Sequence, residues 1–283
     1  MKNISIIGGT GMLGAPVARE FARRGFAVKI ITRNAIAACK ALGADFEYLE
    51  GDLFQASFLS EALADCDGLH INMSGQCKAT YYKNHVVATQ RILQAISHRP
   101  PECISMISSA SVYPEQTDRW DTLYKLEAER LLIHSGIPYL VFMPSWFMES
   151  LPLFIQDGKL IQIGPSVQPI HWLAAQDYAR LVVDCFQNPR CRNQRLPIYG
   201  PEGITMHQAL AAFSASREIP LQKMPVWLAK VFGKLTGDDR LIDVADLLVH
   251  YEKWGEKDIP NALRTHTTLS QWISHSIATA EPE

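Results

Sequence analysis

The stretch Ile4-Ser5-Ile6-Ile7-Gly8-Gly9-Thr10-Gly11-Met12-Leu13-Gly14 constrains this chain more than any other. A short apolar, β-branched run ends in glycines, and a helical pattern begins directly behind them. Leu13, Val17 and Phe21 share one face of that helix, while Arg19, Glu20, Arg23 and Arg24 fall elsewhere. Pro16 sits in the predicted first turn, where its missing N–H costs nothing. Strand, glycine turn and helix start make a phosphate site, because backbone N–H groups and the positive helix end face an anion. Gly8, Gly11 and Gly14, with two residues between each pair, supply the tight turn and the close backbone approach. The spacing and its flanks read as dinucleotide binding, with Thr10, Met12 and Leu13 counted among the binding residues. The competing reading is a tight strand-to-helix turn that binds no nucleotide.

The next elements refine the ligand. A second strand is expected at Ala27–Thr32. In an NAD-type unit an acidic residue about 20 positions beyond the glycines takes the ribose 2′-hydroxyl. Here that place reads Thr32-Arg33-Asn34, with no carboxylate before Asp45. A guanidinium there suits a 2′-phosphate, so NADP is expected ahead of NAD, with Arg33 on the phosphate. A helix over Ala35–Leu42 and a strand over Phe46–Leu49 follow, ending in Gly51-Asp52-Leu53. Asp52 either accepts from an adenine amino group or caps the next helix, and Leu53 lies beside it. The fourth strand, Gly68–Met73, carries His70, expected to be satisfied by a neighbouring element, and ends at Asn72-Met73-Ser74-Gly75. Ser74 is placed at the cofactor edge. A helix is expected from about Asn84 to Ser97. The fifth strand, Cys103–Ile107, opens into Ser108-Ser109-Ala110-Ser111-Val112-Tyr113, a hydroxyl cluster that either polarises a substrate carbonyl or caps the turn.

Composition limits the alternatives. The chain has 283 residues, 47% hydrophobic and 20% charged, enough for one large domain or one with an appendage. A formal net charge of −2 gives no electrostatic case for nucleic acid or an anionic membrane. The six cysteines are scattered, with no paired or metal-ligand spacing, which suits a reducing compartment. No metal is expected. The first residues read as strand and loop rather than as a signal peptide, and no apolar run reaches spanning length. A cytoplasmic location is the expectation.

Four motifs together resemble the extended and atypical short-chain dehydrogenase/reductases. They are Gly8-Gly9-Thr10-Gly11-x-x-Gly14, Gly51-Asp52-Leu53, Ser108-Ser109-x-Ser111-Val112-Tyr113 and Lys125-x-Glu127-Ala128-Glu129-Arg130-Leu131-Leu132. Ser135-Gly136-Ile137-Pro138-Tyr139-Leu140-Val141-Phe142-Met143-Pro144, followed by Trp146-Phe147-Met148-Glu149, is similar to the NmrA-like branch. That branch contains NADPH-dependent reductases, NADP-sensing regulators and assembly proteins. The resemblance implies that Lys125 holds the nicotinamide ribose and that Ser109 is the substrate-polarising hydroxyl. Catalytic members carry a tyrosine four residues before the lysine, and Asp121 stands there instead. Tyr124 is adjacent to Lys125, about 100° away on a helix, and does not simply substitute for the missing tyrosine. Tyr113, another hydroxyl or water is left as the proton source.

The fold implied is α/β: a doubly wound, mostly parallel Rossmann sheet with a smaller helix-rich C-terminal part closing over the cofactor. The division expected is a nucleotide-binding core over residues 1–150 and a substrate region over 151–283. In the second part His171 is either a satisfied surface or core histidine or a proton donor, and Thr205 is expected to cap a helix. Trp227, Phe232 and Trp254 are expected to pack the core of that region, or to line an apolar pocket. The tail, Ile277–Glu283, is expected to fray. Two functions stand side by side: reduction of an apolar carbonyl or quinone by NADPH, and non-enzymatic NADP(H) sensing with a protein partner. A nucleotide-sugar epimerase is the third reading and is weakened by the missing tyrosine.

Overall fold

A computed structural model of the chain describes residues 1–278. Positions 279–283 of the expected frayed tail lie outside the described residues, whereas Ile277 and Ala278 belong to the last helix. The chain forms two compact units, Met1–Met143 with Tyr178–Leu196, and Pro144–Asp177 with Pro197–Glu283.

The first unit alternates strand and helix. Its strands are β1 (Asn3–Ile7), β2 (Ala27–Thr32), β3 (Glu47–Glu50), β4 (Gly68–Ile71), β5 (Cys103–Ile107) and β6 (Tyr139–Pro144). Between them run α1 (Gly14–Arg23), α2 (Ala35–Leu42), α3 (Ala56–Ala62), α4 (Lys78–Tyr82), α5 (Ala88–Ala95) and α6 (Trp120–His134). A π segment, Lys83–Val87, joins α4 to α5, so Lys78–Ala95 is one continuous helix with a widened middle. The chain then makes β7 (Ile155–Gln156), β8 (Lys159–Ile163) and β9 (Pro169–His171), followed by α7 (Ala175–Gln187) and β10 (Gln194–Tyr199). It closes with β11 (Gly203–Thr205), α8 (Met206–Arg217), β12 (Leu221–Met224), α9 (Val226–Thr236), α10 (Asp239–Trp254), β13 (Leu263–Arg264) and α11 (Leu269–Ala278).

The main sheet has the order β13-β10-β6-β5-β4-β1-β2-β3. The pairs from β3 through β6 are parallel, as is β10 with β13. Helices cover both faces of a parallel sheet, so its central strands read as unbroken buried runs: every residue of β4 and β5 is buried. The strand order reverses at β1, flanked by β2 and β4, and the carboxyl edge there is where a doubly wound sheet binds its ligand. His70 and Ser105 are register partners in β4 and β5, and the His70 Nδ1 lies 2.7 Å from the Ser105 hydroxyl. Burial pushes the His70 imidazole down to about 3. The expectation of a satisfied histidine holds for one ring nitrogen, while Nε2 has no hydrogen-bond partner among the described residues.

In the second unit Thr205 caps α8 as expected, accepting from the Gln208 N–H while the Gln208 side chain accepts from the Thr205 N–H. The aromatic core expected there is corrected. Trp227 is 66% exposed and Phe232 54% exposed on α9. The face of α9 that is covered carries small residues, Ala229 and Gly233. A Cβ on Gly233 would come within 2.7 Å of Ile242 on α10, so close helix packing turns the small side chains inward and the aromatics out. Trp254 is partly buried, beside His250 and under the Lys253 ammonium.

Candidate functional site

The glycine loop leaves β1 and enters α1 with a distinct task for each glycine. Gly8 has φ +78°, and a Cβ there would fall 1.9 Å from the Asn72 carbonyl oxygen at the end of β4. A Cβ on Gly14 would lie 2.1 Å from the Gly8 carbonyl oxygen. These two close the turn against its own backbone. At Gly11, by contrast, a Cβ would meet nothing nearer than the Gly8 oxygen at 3.6 Å, so its bare face is open. The first turn of α1 has no side-chain cap, which leaves N–H groups for an anion. Thr10 and Met12 are exposed, Leu13 is half-buried at the N-cap, and the cradle fits a dinucleotide phosphate.

Past β2 the chain orders itself. The Thr32 hydroxyl accepts from the Asn34 N–H, and the Asn34 side chain caps α2 by accepting from the Ala37 N–H at 2.8 Å. Arg33 is exposed between them and makes no ion pair among the described residues. A carboxylate absent from this loop arrives from the neighbouring strand: Glu50, at the end of β3, accepts from the Ala35 N–H at 2.8 Å. Asp52 does not cap α3. Its carboxylate instead accepts from the Phe54 N–H at 3.0 Å within a turn, and Gln55 stands at the N-cap. Leu53 packs partly buried against the apolar cluster under the sheet.

At the ends of β4 and β5 the polar residues converge. Ser74 is exposed, and its carbonyl accepts from the Asn84 side chain at 2.6 Å. The Ser109 and Ser111 hydroxyls are 3.0 Å apart. Lys125, on α6, donates to the Ser108 carbonyl at 3.3 Å, which brings the predicted lysine to the predicted serine loop. One turn further along α6, Glu129 accepts from the Ser108 hydroxyl and pairs with Arg195 at 2.7 Å. Burial raises the Glu129 carboxyl, against the pull of the Arg195 charge. Arg195 also donates to the Val112 carbonyl at 2.6 Å and lies over the Tyr113 ring. Tyr113 is thus held with Arg195, and burial raises its phenol. Asp121 accepts from Arg119 at 2.8 Å and from the Thr122 N–H, so the place of the family tyrosine is an ion-paired carboxylate. In the second unit His171 pairs with Glu256 at 2.7 Å and lies beside the Tyr199 ring.

Sequence reasoning passed over Tyr81 and His85. Tyr81, on α4, packs edge-on against Trp120 with centroids 5.1 Å apart and stacks on His85 at 4.1 Å. Its phenol feels the charges of Lys125, Asp121 and Arg119. Burial raises the phenol and the Lys125 charge works to lower it. His85 is buried, and burial, aided by Lys125, pushes its ring down to about 3. The signal available was the pair Tyr81-Tyr82 ahead of a helix, which names no partner without the third dimension. Among the described residues no cluster of acidic, histidine and cysteine side chains could hold a metal ion, and no helix is long and apolar enough to cross a membrane.

Known proteins resemble this chain in sequence or in fold. The NAD(P)H azoreductase of Xenophilus azovorans is 23% identical over 250 residues, covering 87% of this chain and 84% of that protein. A photosystem II assembly factor of Cyanidium caldarium is 24% identical over 251 residues, covering 83% of this chain and 78% of that protein. The crystal structure of an NADPH-dependent quinone oxidoreductase from Escherichia coli, complexed with NADPH, superposes with a TM-score of 0.78. It is 22% identical and covers 97% of this chain and 99% of that chain. The sequence model of the NmrA-like family matches residues 1–277, and the chain belongs to that family.

Proposed function

We propose that this protein is an NADP(H)-dependent reductase of an apolar carbonyl or quinone. The observation that carries this reading is the convergence of Lys125 with the Ser108–Ser111 loop at the carboxyl end of β5. In this reading the open face of Gly11 and the uncapped start of α1 hold the pyrophosphate, and Arg33 holds the 2′-phosphate. Lys125 holds the nicotinamide ribose, and Ser109 donates to the substrate oxygen. When bound, the nicotinamide supplies a hydride. The NADPH complex of the Escherichia coli oxidoreductase and the NAD(P)H azoreductase support this cofactor class. The test is NADPH oxidation followed by absorbance against quinones, enones, aldehydes and ketones. Turnover suppressed by both Lys125→Ala and Ser109→Ala supports the reading, and tight NADPH binding without any oxidation refutes it.

A second reading rests on Asp121. With an ion-paired carboxylate where catalytic relatives have tyrosine, the same cleft can bind NADP(H) without turnover and pass its state to a protein partner. The assembly factor among the relatives supports it. Pull-downs with and without NADPH, differing in the protein captured, are the result it expects.

A further inference from the structure

We propose that Tyr81, reaching Lys125 from α4 rather than from α6, is the proton donor of this site. The inference rests on the reductase reading and supplies the one group which that reading lacks. Position 121, four residues before Lys125, is one helical turn away on the same face of α6. The Tyr81 ring packs from the facing helix on Trp120, the residue before Asp121, and Lys125, Asp121 and Arg119 are close enough for their charges to act on its phenol. Its ring is fixed on two sides, by the edge of Trp120 and the face of His85. Gly75, after β4, makes room for this helix, since a Cβ there would lie 2.6 Å from the Tyr81 backbone. The other tyrosines nearby are turned to different partners. Tyr124 packs on Tyr82, and Tyr113 sits under Arg195.

The chemistry balances. Hydride from NADPH, carrying two electrons, bonds to the carbonyl carbon, and the π pair of the C=O bond moves onto oxygen. Tyr81 breaks its O–H bond and gives that oxygen the proton. The tyrosinate left behind is stabilised by the Lys125 ammonium and is reprotonated from solvent. Carbonyl, NADPH and one proton become alcohol and NADP⁺.

The test compares wild type with Tyr81→Phe, Lys125→Gln and, as a control, Tyr82→Phe. Three readouts are taken: NADPH affinity by fluorescence, turnover, and tyrosinate absorbance during pH titration without nucleotide. Tyr81→Phe should lower turnover by about 10²-fold or more, the range for a positioned general acid, while NADPH affinity stays within about threefold. It should also remove one tyrosinate transition, and Lys125→Gln should move that transition to higher pH. The groups facing this phenol are Lys125, Asp121, Arg119 and His85, and of these Lys125 is the one altered. Tyr82→Phe should leave affinity and turnover unchanged and remove only its own tyrosinate transition, while the transition that Lys125→Gln moves stays in place. Turnover kept by Tyr81→Phe, or a transition indifferent to Lys125→Gln, overturns the proposal and leaves the reductase reading standing. A wild type that binds NADPH and reduces nothing overturns the reductase reading, and the donor role falls with it.

Discussion

The Glu50 carboxylate, at the end of β3, accepts a hydrogen bond from the Ala35 N–H two residues beyond Arg33. The cation proposed for a 2′-phosphate and an anion that would repel one therefore flank the same helix start. Arg33→Ala should weaken NADPH by about tenfold and NADH far less, because only the former loses a charge-assisted contact. Glu50→Gln should act in the opposite sense and raise the NADPH-to-NADH preference several-fold. Calorimetric titration with each nucleotide measures both, and equal changes for the two nucleotides would refute the assignment of Arg33.

The glycines should separate folding from binding. Gly14→Ala puts a methyl group 2.1 Å from the Gly8 carbonyl oxygen and should destabilise the protein by about 2–3 kcal/mol, as overpacking does. Gly11→Ala meets no atom closer than 3.6 Å, so its melting temperature should stay near that of wild type. Its nucleotide affinity should nevertheless fall at least about tenfold, because the methyl fills the face that the pyrophosphate approaches. Thermal melts paired with nucleotide titrations decide this, and a Gly11→Ala protein that binds normally would contradict the cradle.

Those outcomes bear on how much was legible beforehand. Gly8 and Gly14 announce their task in sequence because only glycine satisfies backbone contacts so close, and Gly11 does so by its place in the spacing. The βα order and the meeting of Lys125 with the serine loop, at the Ser108 carbonyl, follow from motifs of fixed spacing. Glu50 was not legible, since its nearness to Arg33 is created by the pairing of β2 with β3. Tyr81 was missed for a related reason: its direction depends on the π segment behind it, and a helical periodicity of 3.6 does not reveal where a helix widens. On α9 the apolar pattern shows an amphipathic helix. It does not show that Ala229 and Gly233, the small residues, form the covered side.

Arg195 balances a buried carboxylate. Removing it by Arg195→Ala leaves Glu129 beside the Ser108 hydroxyl without its cation, which should cost about 2–3 kcal/mol. That is below the usual range for a fully buried pair because the Arg195 side chain is partly exposed. Adding Glu129→Gln should recover part of the loss. Urea denaturation of the two single variants and the double variant gives the coupling, and strict additivity would refute it.

Acid should loosen the sheet through His70. Its folded pKa, about 3, lies below its ordinary value of 6.5, so between these limits the unfolded chain binds more protons than the native one. This contribution is fully present above pH 6.5 and is lost as the pH falls toward 3, by at most about 1.4 kcal/mol per pH unit. His70→Gln, which keeps a partner for Ser105, should flatten the fall in melting temperature between neutral and mildly acidic buffer. An unchanged slope would show that His70 does not contribute to it.

A helix that widens to π at Lys83–Val87 holds one residue more than an unbroken α-helix between the same ends. Every side chain ahead of it, Tyr81 included, is therefore out of phase with α5 by about 100°. Deleting one residue, Asn84 for instance, would restore the ordinary ladder and swing the phenol away from Lys125 while leaving α5 in place. Two chains matched position for position along α5 present different side chains to α6 unless both carry the insertion. The choice of which residue meets Lys125 is thus made by counting, one residue more or less, as much as by chemical identity.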